Sequence, residues 1–277
     1  MKIRFAEDGF DYVKSEKIEL LDIAITQFCS FYKKCKTCYM GSTDTGSHGD
    51  LRFICTVIDS LSKMDCFEIA LGGGSPNQHP EFNHIIYYSY VNNIVPNFTT
   101  FDDDWLADTS MVEHVKSYVG GIGVSVYSKN SLGKYNNIKE EVGKKCSVMV
   151  QHVVGMFPYT TTSALIEHVD HILLLGYKST GRGSTQTPYK YTDEQIKSFF
   201  KYKNKKVSVD TAFLDNYGHI LDDIGIPMEL RSSPEGKFSC YIDAVEQRIG
   251  PSSYCNKDQM FRTDGSTQSI FEHYRKF

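Results

Sequence analysis

Residues 20–40 read LLDIAITQFCSFYKKCKTCYM and hold the most informative pattern in this chain. Leu20 to Thr26 is typical of an apolar β-strand, and it runs into a loop that carries Cys29, Cys35 and Cys38. Three thiolates on one loop can bind three irons of a four-iron, four-sulfur cluster and leave the fourth iron open to an outside ligand. An open iron indicates chemistry, because an electron-transfer cluster would normally have a fourth cysteine nearby.

Zinc is the alternative occupant of this loop. Cys35 and Cys38 have the spacing of a zinc half-site, and Cys29 and His48 are available as the third and fourth ligands. The two alternatives differ in whether the rest of the chain supplies a pocket for a small molecule beside the metal.

A glycine-rich turn follows the next predicted strand, in the text FEIALGGGSPNQHPEF. Phe67 to Leu71 form the strand, Gly72, Gly73 and Gly74 form the turn, and Pro80 begins a helical stretch. Glycines at the end of a strand let a ligand lie against backbone N–H and C=O groups. The turn therefore favours a small-molecule site close to the cysteine loop.

The cysteine loop and the glycine turn together resemble the motifs of the radical S-adenosylmethionine (SAM) superfamily. That family usually has C-x3-C-x2-C with an aromatic residue before the last cysteine. Here the text is C-x5-C-x2-C, with Thr37 before Cys38 and Tyr39 after it. The resemblance covers residues 18–215 and implies that Tyr39 is the aromatic residue available to the adenine.

The glycine turn carries the second part of the resemblance. The family's Gly-Gly-Glu-Pro is matched by Gly73, Gly74, Ser75 and Pro76, with serine in place of glutamate. In the family the backbone of this turn receives the amino group of the methionine, so we assign Gly72 to Ser75 to cofactor binding. A valine at Gly74 is expected to retain iron but to stop SAM cleavage.

The resemblance implies two cofactors, a [4Fe-4S] cluster and SAM. One electron, delivered by a reductase or a flavodoxin-like donor, would cleave SAM to methionine and a 5′-deoxyadenosyl radical. That radical would remove a hydrogen atom from a peptide, a protein or a small molecule, in an oxidoreductase or a transferase. The alternative is a catalytically silent iron-sulfur or zinc module that binds a nucleotide or a protein partner.

Strands and helices alternate along the chain, which predicts an α/β fold with a parallel sheet. The predicted strands are residues 20–26, 67–71, 97–101, 121–127, 147–154, 171–177 and 206–213. The predicted helices are residues 50–64, 80–93, 103–117, 132–145, 162–168 and 192–203. This pattern fits a partial (β/α)6 TIM-type barrel at residues 18–215, between an N-terminal extension at 1–17 and a C-terminal extension at 216–277.

Active-site residues of such a barrel are expected at the carboxyl ends of its strands. The resemblance implies that Ser125 hydrogen-bonds the ribose hydroxyls and that the backbone of Val153 or Val154 lies against the adenine. Four further strand-end residues are candidates for the substrate pocket: Thr100, His152, Arg182 and Asp210.

Two of these candidates have a specific expected role. Arg182 could clamp a carboxylate with its planar guanidinium, although an ordinary surface charge is the alternative. Asp210 could orient substrate or cap the next turn.

The tail carries the pattern C-x9-G-x4-C, from Cys240 through Gly250 to Cys255. It resembles the opening of a SPASM or twitch extension, in which a β-hairpin holds an auxiliary iron-sulfur cluster. No cysteine follows Cys255, so Cys240 and Cys255 either ligate such a cluster with outside help or belong to a relic hairpin. We favour the relic, a short β-hairpin that closes the open side of the barrel with Tyr241 and Tyr254 packed against the last strand.

Composition fits a cytoplasmic enzyme. The chain has 277 residues, of which 40% are hydrophobic, enough to bury one sizeable core. It shows no signal peptide and no membrane-spanning run, so its eight cysteines are expected to be thiols or metal ligands rather than disulfides. The net charge of −4 argues against a nucleic-acid partner.

Overall fold

The computed structural model describes residues 2–6, 9–202, 204–227, 231 and 235–277. The chain begins with an antiparallel hairpin, β1 (Lys2–Ala6) and β2 (Gly9–Val13), which forms a sheet of its own. The predicted N-terminal extension and the predicted C-terminal extension both include residues outside this described part.

Parallel strands form the centre of the main sheet, and each pairs with the next along the chain. In order they are β3 (Leu20–Thr26), β4 (Glu68–Gly73), β5 (Val95–Thr100), β6 (Gly121–Ser125), β7 (Ser147–Val153), β8 (His171–Leu175) and β9 (Lys206–Val209). Each of them overlaps a predicted strand, and their parallel pairing confirms the predicted fold class.

Helices connect these strands, most of them at predicted positions. They are α1 (Leu51–Lys63), α2 (Phe82–Val91), α3 (Thr109–Tyr118), α4 (Leu132–Val142), α5 (Tyr159–His168), α6 (Asp193–Phe199) and α7 (Thr211–Asp223). The last predicted strand was too long at its end, because the Asp210 carboxylate accepts a hydrogen bond from the Phe213 N–H and starts α7 there. The predicted domain boundary at residue 215 falls within this helix.

The two faces of the sheet differ in polarity. On β3, Leu21, Ile23 and Ile25 are fully buried in the core that packs against the helices. Asp22 points to the opposite, concave face, which we call the lumen, because successive side chains of a strand alternate between faces. Other polar side chains meet there across the strands, with Asn97 Nδ2 donating to Glu68 Oε2 at 2.9 Å. The fold therefore surrounds a polar lumen with an apolar shell.

The tail extends the same sheet. It forms β10 (Ser239–Asp243), β11 (Arg248–Gly250), β12 (Phe261–Arg262) and α8 (Thr267–Tyr274). The predicted hairpin is confirmed, since β10 and β11 pair antiparallel.

The position of this hairpin differs from the prediction. Strand β10 pairs parallel with β3, with Tyr241 beside Asp22, so the tail packs against the first strand of the barrel and not the last. The exposed edge of β3 offers unpaired backbone groups that β10 satisfies. Within the described residues the strand order runs from β12 to β9 without joining its ends, so the barrel is open.

No helix in the described ranges is long and apolar enough to cross a membrane.

Candidate cofactor and substrate site

The cysteine loop, residues 27–50, leaves the carboxyl end of β3 and returns to α1. Its ends are joined by isolated β-bridges, Thr26 with His48 and Phe28 with Thr43. The Cys29 N–H donates to the Thr43 carbonyl at 2.8 Å. Cys29, Cys35 and Cys38 are all free and half-buried. The loop is thus held in one conformation by backbone pairing, and it carries three thiols at one end of the barrel.

The thiols interact with one another and with Tyr127. Cys35 and Cys38 interact with each other, which lowers the pKa of Cys38 and raises the pKa of Cys35. The Tyr127 hydroxyl lies 3.0 Å from Cys35 Sγ and donates to it. Burial raises the pKa of Cys29, and the nearby Arg182 guanidinium partly opposes that shift. Backbone hydrogen bonds from Gly41 and Ser42 also lower the pKa of Cys38, which favours its thiolate form.

Arg182 ties the cysteine loop to the segment after β8. Its Nη1 donates to the Ser42 carbonyl at 2.7 Å, its Nε to the Cys35 carbonyl at 3.2 Å and its Nη2 to the Tyr32 carbonyl at 3.4 Å. Its backbone N–H donates to the Cys38 carbonyl at 2.9 Å. The expected carboxylate clamp is not what these contacts show, because the guanidinium is directed at backbone carbonyls of the cysteine loop.

The same two segments approach closely at Gly181. This residue has a φ of +52°, and a Cβ there would lie 2.3 Å from the Tyr39 carbonyl oxygen. The Thr180 hydroxyl donates to that oxygen at 3.2 Å. Glycine is thus required for the segment to carry Arg182 into the cysteine loop.

His48, the fourth ligand of the zinc alternative, faces away from the thiols. Its Nδ1 lies 2.9 Å from Thr26 Oγ1, and its ring contacts Phe28 and His79. Across the described part of the chain, no three His, Cys, Asp or Glu side chains are grouped so that they could hold one metal ion. A zinc site needs all its ligands around a single atom, whereas a four-iron cluster takes three thiolates on three different irons. Three thiols on one loop are the donor set that a cluster with one open iron requires, and the described contacts of His48 are with Thr26, Phe28 and His79.

The glycine turn packs directly on the start of the cysteine loop. The Gly74 and Ser75 N–H groups donate to the Thr26 and Phe28 carbonyls at 2.7 and 2.8 Å. A Cβ on Gly73 would meet the Thr26 oxygen at 2.2 Å, and one on Gly74 the Phe28 oxygen at 2.1 Å. These two glycines are needed for contact with protein backbone, which corrects the expectation that they leave room for a ligand. Gly72 differs, since a Cβ there meets only the Ile23 oxygen at 3.9 Å.

Valine substitutions should separate the roles of these glycines. Gly74→Val is expected to displace Phe28 and the cysteine loop, so that less iron binds, contrary to the expectation from the motif alone. Gly72→Val should keep iron near the wild-type level and reduce SAM binding, because its side chain enters open space beside the turn. Iron content and equilibrium binding of SAM measure the two effects. Equal iron in both variants would contradict the assignment.

An aromatic wall borders the cysteine loop. Phe31 lies 5.5 Å from Phe101, Phe101 lies 5.2 Å from Tyr127, and Tyr127 lies 5.6 Å from Phe157, between ring centroids. The Lys134 ammonium lies 3.8 Å above the Phe101 ring, and burial lowers its pKa to about 8. Such a wall limits water beside Cys35, whose thiol accepts from Tyr127.

The two predicted cofactor residues on β6 and β7 lie on the lumen face. Ser125 and Val153 are half-buried at the carboxyl ends of their strands, while Val154 is fully buried in the apolar core. Of the two valines, Val153 is therefore the one placed for contact with a ligand. Their roles toward ribose and adenine stay predictions.

Two pocket candidates point away from the lumen. Thr100 is buried and its hydroxyl donates to the Asp102 carbonyl at 2.8 Å. The neighbouring Thr99 faces the lumen instead, where its hydroxyl donates to Gln151 Oε1 at 3.2 Å. Gly123 makes this contact across β6 possible, because a Cβ there would meet Gln151 Nε2 at 2.2 Å.

His152 is the second candidate that points away from the lumen. It is buried, with its Nδ1 2.8 Å from the Val126 carbonyl oxygen and its Nε2 3.0 Å from Thr162 Oγ1. Burial lowers its pKa to about 4. The imidazole is thus a neutral link between β7 and α5 and not a substrate-pocket residue, because strand alternation gives the lumen to Gln151.

Asp210 and Tyr39 meet at Lys178. The Asp210 carboxylate accepts from the Gly176 and Phe213 N–H groups at 2.8 Å each, and its Oδ2 lies 3.8 Å from Lys178 Nζ. The Tyr39 ring lies 4.7 Å from the same ammonium. Asp210 therefore caps α7, which is one of the two roles considered for it, and also faces a charged group. Tyr39 contacts the same cation with its ring, and its hydroxyl lies 3.3 Å from Ser253 Oγ.

The tail cysteines are separate from each other. Cys240 is buried on β10, where burial raises its pKa, and Cys255 lies next to Gly250, whose Cβ would meet its Sγ at 3.0 Å. No contact joins the two thiols within the described residues. The absence of an auxiliary cluster stays a prediction.

Replacing Cys240 and Cys255 together by alanine should leave the iron content near about four per chain. Stability should fall instead, because Cys240 packs in the core as a small apolar side chain. Iron analysis and thermal unfolding measure the two effects. Wild-type protein with about eight irons that drops to about four in the variant would show that an auxiliary cluster is present.

Sequence reasoning missed several polar residues of the lumen and its mouth. They are Asp22, Lys178, Glu235, Gln151 and Tyr127. A signal existed for Asp22, since a single carboxylate interrupts the apolar run LLDIAIT. Tyr127, Gln151 and Lys178 stand at or beside the ends of predicted strands, but the sequence does not tell which of the neighbouring residues faces the lumen. Glu235 has no local signal, because its partners are distant in sequence.

Comparison with known proteins places this fold. No protein-family profile and no curated protein matches the sequence. SuiB of Streptococcus suis bound to the precursor peptide SuiA has a similar structure, with a TM-score of 0.69 and 13% identity over 94% of this chain and 65% of SuiB. The enzyme anSMEcpe with bound AdoMet and Cp18Cys peptide gives a TM-score of 0.65 and 15% identity over 93% of this chain and 82% of that one.

Methylornithine synthase (PylB) is similar as well, with a TM-score of 0.56 and 10% identity over 94% of this chain and 82% of that one. These proteins are radical SAM enzymes, and the chain has their fold, an open partial TIM barrel. The predicted resemblance is thereby confirmed for the fold. This chain spans only 65% of the length of SuiB.

Proposed function

We propose that this chain, which has the fold of radical SAM enzymes, uses a [4Fe-4S] cluster and SAM for radical chemistry on an organic substrate. The observation that carries the proposal is the cysteine loop. Three half-buried thiols, those of Cys29, Cys35 and Cys38, lie on one ordered loop at the carboxyl end of β3. When bound, the cluster and SAM would supply reductive cleavage of the sulfonium C–S bond and a 5′-deoxyadenosyl radical.

Different residues of the chain would hold the cluster, contact SAM and exclude water. Cys29, Cys35 and Cys38 would hold the cluster, while Arg182 fixes the loop that carries them. Ser125 and Val153 would contact the ribose and the adenine, and the open space at Gly72 would receive the methionine end. The aromatic wall would keep water away from the reacting carbon.

The electron donor is proposed to be a reductase or a flavodoxin-like protein that docks on the cysteine loop. Lys33, Lys34 and Lys36 are exposed there, between or beside the proposed cluster ligands. A cluster of ammonium groups around a redox centre favours an acidic partner, since complementary charges speed encounter.

The substrate is proposed to be a peptide, a protein or a small molecule. SuiB is bound to a precursor peptide and anSMEcpe to the Cp18Cys peptide, which supports a peptide. The lumen of this chain is lined by polar side chains and could also hold a small molecule.

The test is anaerobic reconstitution with iron and sulfide, reduction, and addition of SAM, followed by mass spectrometry for 5′-deoxyadenosine. We expect brown protein with about four irons per chain and reductant-dependent release of 5′-deoxyadenosine. Colourless protein that retains tightly bound zinc and leaves SAM intact would contradict the proposal and support the silent binding module.

A further inference from the structure

An acidic group of side chains lies in the lumen on the tail side of the barrel. The carboxylates of Asp22, Asp210 and Glu235 each interact electrostatically with Lys178, and that of Asp210 lies 3.8 Å from its ammonium. We call these four residues the acidic lumen site. Three carboxylates face one ammonium, so the site has an excess of negative charge.

The single cation of this site is already engaged. Lys178 Nζ lies 3.8 Å from Asp210 Oδ2 and 4.7 Å from the ring centroids of both Tyr39 and Tyr254. Held between two aromatic faces and one carboxylate, this ammonium has little freedom to reach elsewhere. The carboxylate of Asp210 balances the positive charge of Lys178. The carboxylates of Asp22 and Glu235 have no further cation of this site to balance them.

Glu235 has hydrogen-bond partners, whereas Asp22 has none. The Thr211 hydroxyl donates to Glu235 Oε1 at 2.8 Å, and Ser239 and Tyr254 hydroxyls approach the same carboxylate. Among the described residues, the Asp22 side chain makes no hydrogen bond and no ion pair. Burial raises the pKa of Asp22 to about 6 and that of Glu235 to about 7.

An unpaired carboxylate in the wall of a barrel costs folding free energy. Asp22 lies between β4 and β10, beside Ala70 and Tyr241, where an apolar residue would pack without this cost. Asp22 is half-buried because its side chain faces the lumen. A group retained at such a cost is expected to serve a ligand.

The ligand must be a cation, and the geometry favours an organic one. In the described residues these carboxylates are not grouped closely enough to hold a metal ion. An ammonium group needs only one carboxylate at hydrogen-bond distance and gains from the others through their charge. We propose that the acidic lumen site binds the protonated primary amine of the substrate, with Asp22 as its direct partner.

The position of the site suits this role. Tyr39 contacts Lys178 and follows Cys38 directly in the chain, so the acidic lumen site adjoins the cysteine loop. A substrate anchored by its amine at Asp22 would extend toward the mouth of the barrel, where the proposed cofactors lie. The role as a substrate anchor rests on the proposed function, whereas binding of an amine can be measured without it.

The test measures binding of amines to the full-length protein by titration calorimetry, without SAM or reductant. The probes are 1,5-diaminopentane and a short neutral peptide with one lysine, each compared with its N-acetylated form. Wild-type protein is expected to bind at least one amine and to discriminate against the acetylated form. Tighter binding of the peptide would identify a peptide source of the amine, and tighter binding of the diamine a small-molecule source.

Asp22→Asn should weaken amine binding by about tenfold or more, because a buried ammonium loses its charged partner. The same variant should melt at a higher temperature than wild type at neutral pH, since the unpaired charge is gone. Asp44→Asn, an exposed aspartate on the cysteine loop, is the matched control and should change neither quantity.

Two outcomes would overturn the inference. One is wild-type protein that binds no probe, and the other is an Asp22→Asn variant that binds amines as tightly as wild type. Failure of the proposed function looks different, because protein that binds amines but releases no 5′-deoxyadenosine supports the site and contradicts the radical chemistry.

Discussion

Replacing Cys29, Cys35 and Cys38 together by alanine is expected to lower bound iron from about four per chain to nearly none. Each thiolate would hold a different iron, so single alanine variants should also lose most of the cluster. Without the cluster no electron can reach SAM, and 5′-deoxyadenosine should fall to the background. Iron and sulfide analysis after anaerobic reconstitution measures the first effect, and mass spectrometry measures the second.

A matched control is Cys55→Ala. Cys55 is a free, half-buried thiol, like the loop cysteines in exposure, but it lies on α1 and outside the cysteine loop. It should keep full iron and full cleavage. Iron in the triple variant equal to wild type would refute the assignment of the loop as the cluster site.

The second large effect is expected for Arg182→Ala. This change removes three hydrogen bonds from a charged donor to carbonyls of the cysteine loop. Such bonds contribute about 1.5–3 kcal/mol each, and the half-exposed guanidinium places these toward the lower value. The loop should lose its order, so iron incorporation should fall by more than half and proteolysis between residues 27 and 50 should accelerate in the iron-free protein.

Two further variants make this result interpretable. Arg182→Lys keeps the charge but cannot donate to three separate carbonyls, so it should resemble Arg182→Ala. Lys33→Ala removes an exposed cation from the loop itself, where its described contact is with the Tyr32 ring, and should leave iron unchanged. Full iron incorporation in Arg182→Ala would show that the loop is ordered without the clamp.

The sequence predicted the elements that depend on local pattern. Leu20–Thr26 begins and ends where the apolar run predicts, and the alternation of strands and helices is confirmed from β3 to α6. Capping side chains act within one turn of their own helix, as at Asp50, whose carboxylate accepts from the Phe53 N–H. The three cysteines lie on one loop because they are close together in the sequence, between one strand and the next helix.

Which of two neighbouring residues at a strand end faces the lumen was less predictable. Thr100 and His152 were expected in the pocket, whereas Thr99 and Gln151 face the lumen. A shift of one residue turns a strand side chain to the opposite face, and short strands of mixed composition carry no strong signal for which face is which. At both strand ends the residue that faces the lumen is the neighbour of the one that the sequence singled out.

By itself, then, the sequence determined the partial barrel, the loop with three thiols and the glycine turn, because spacing and periodicity are properties of neighbouring residues. Only the tertiary structure decided that β10 adds to β3, that Arg182 holds carbonyls 140 to 150 residues before it, and that Asp22 shares a lumen with Lys178, Asp210 and Glu235. These contacts join residues far apart in the chain. They form because the curvature of the open sheet brings together strand edges, carbonyls and charges that no local sequence pattern predicts.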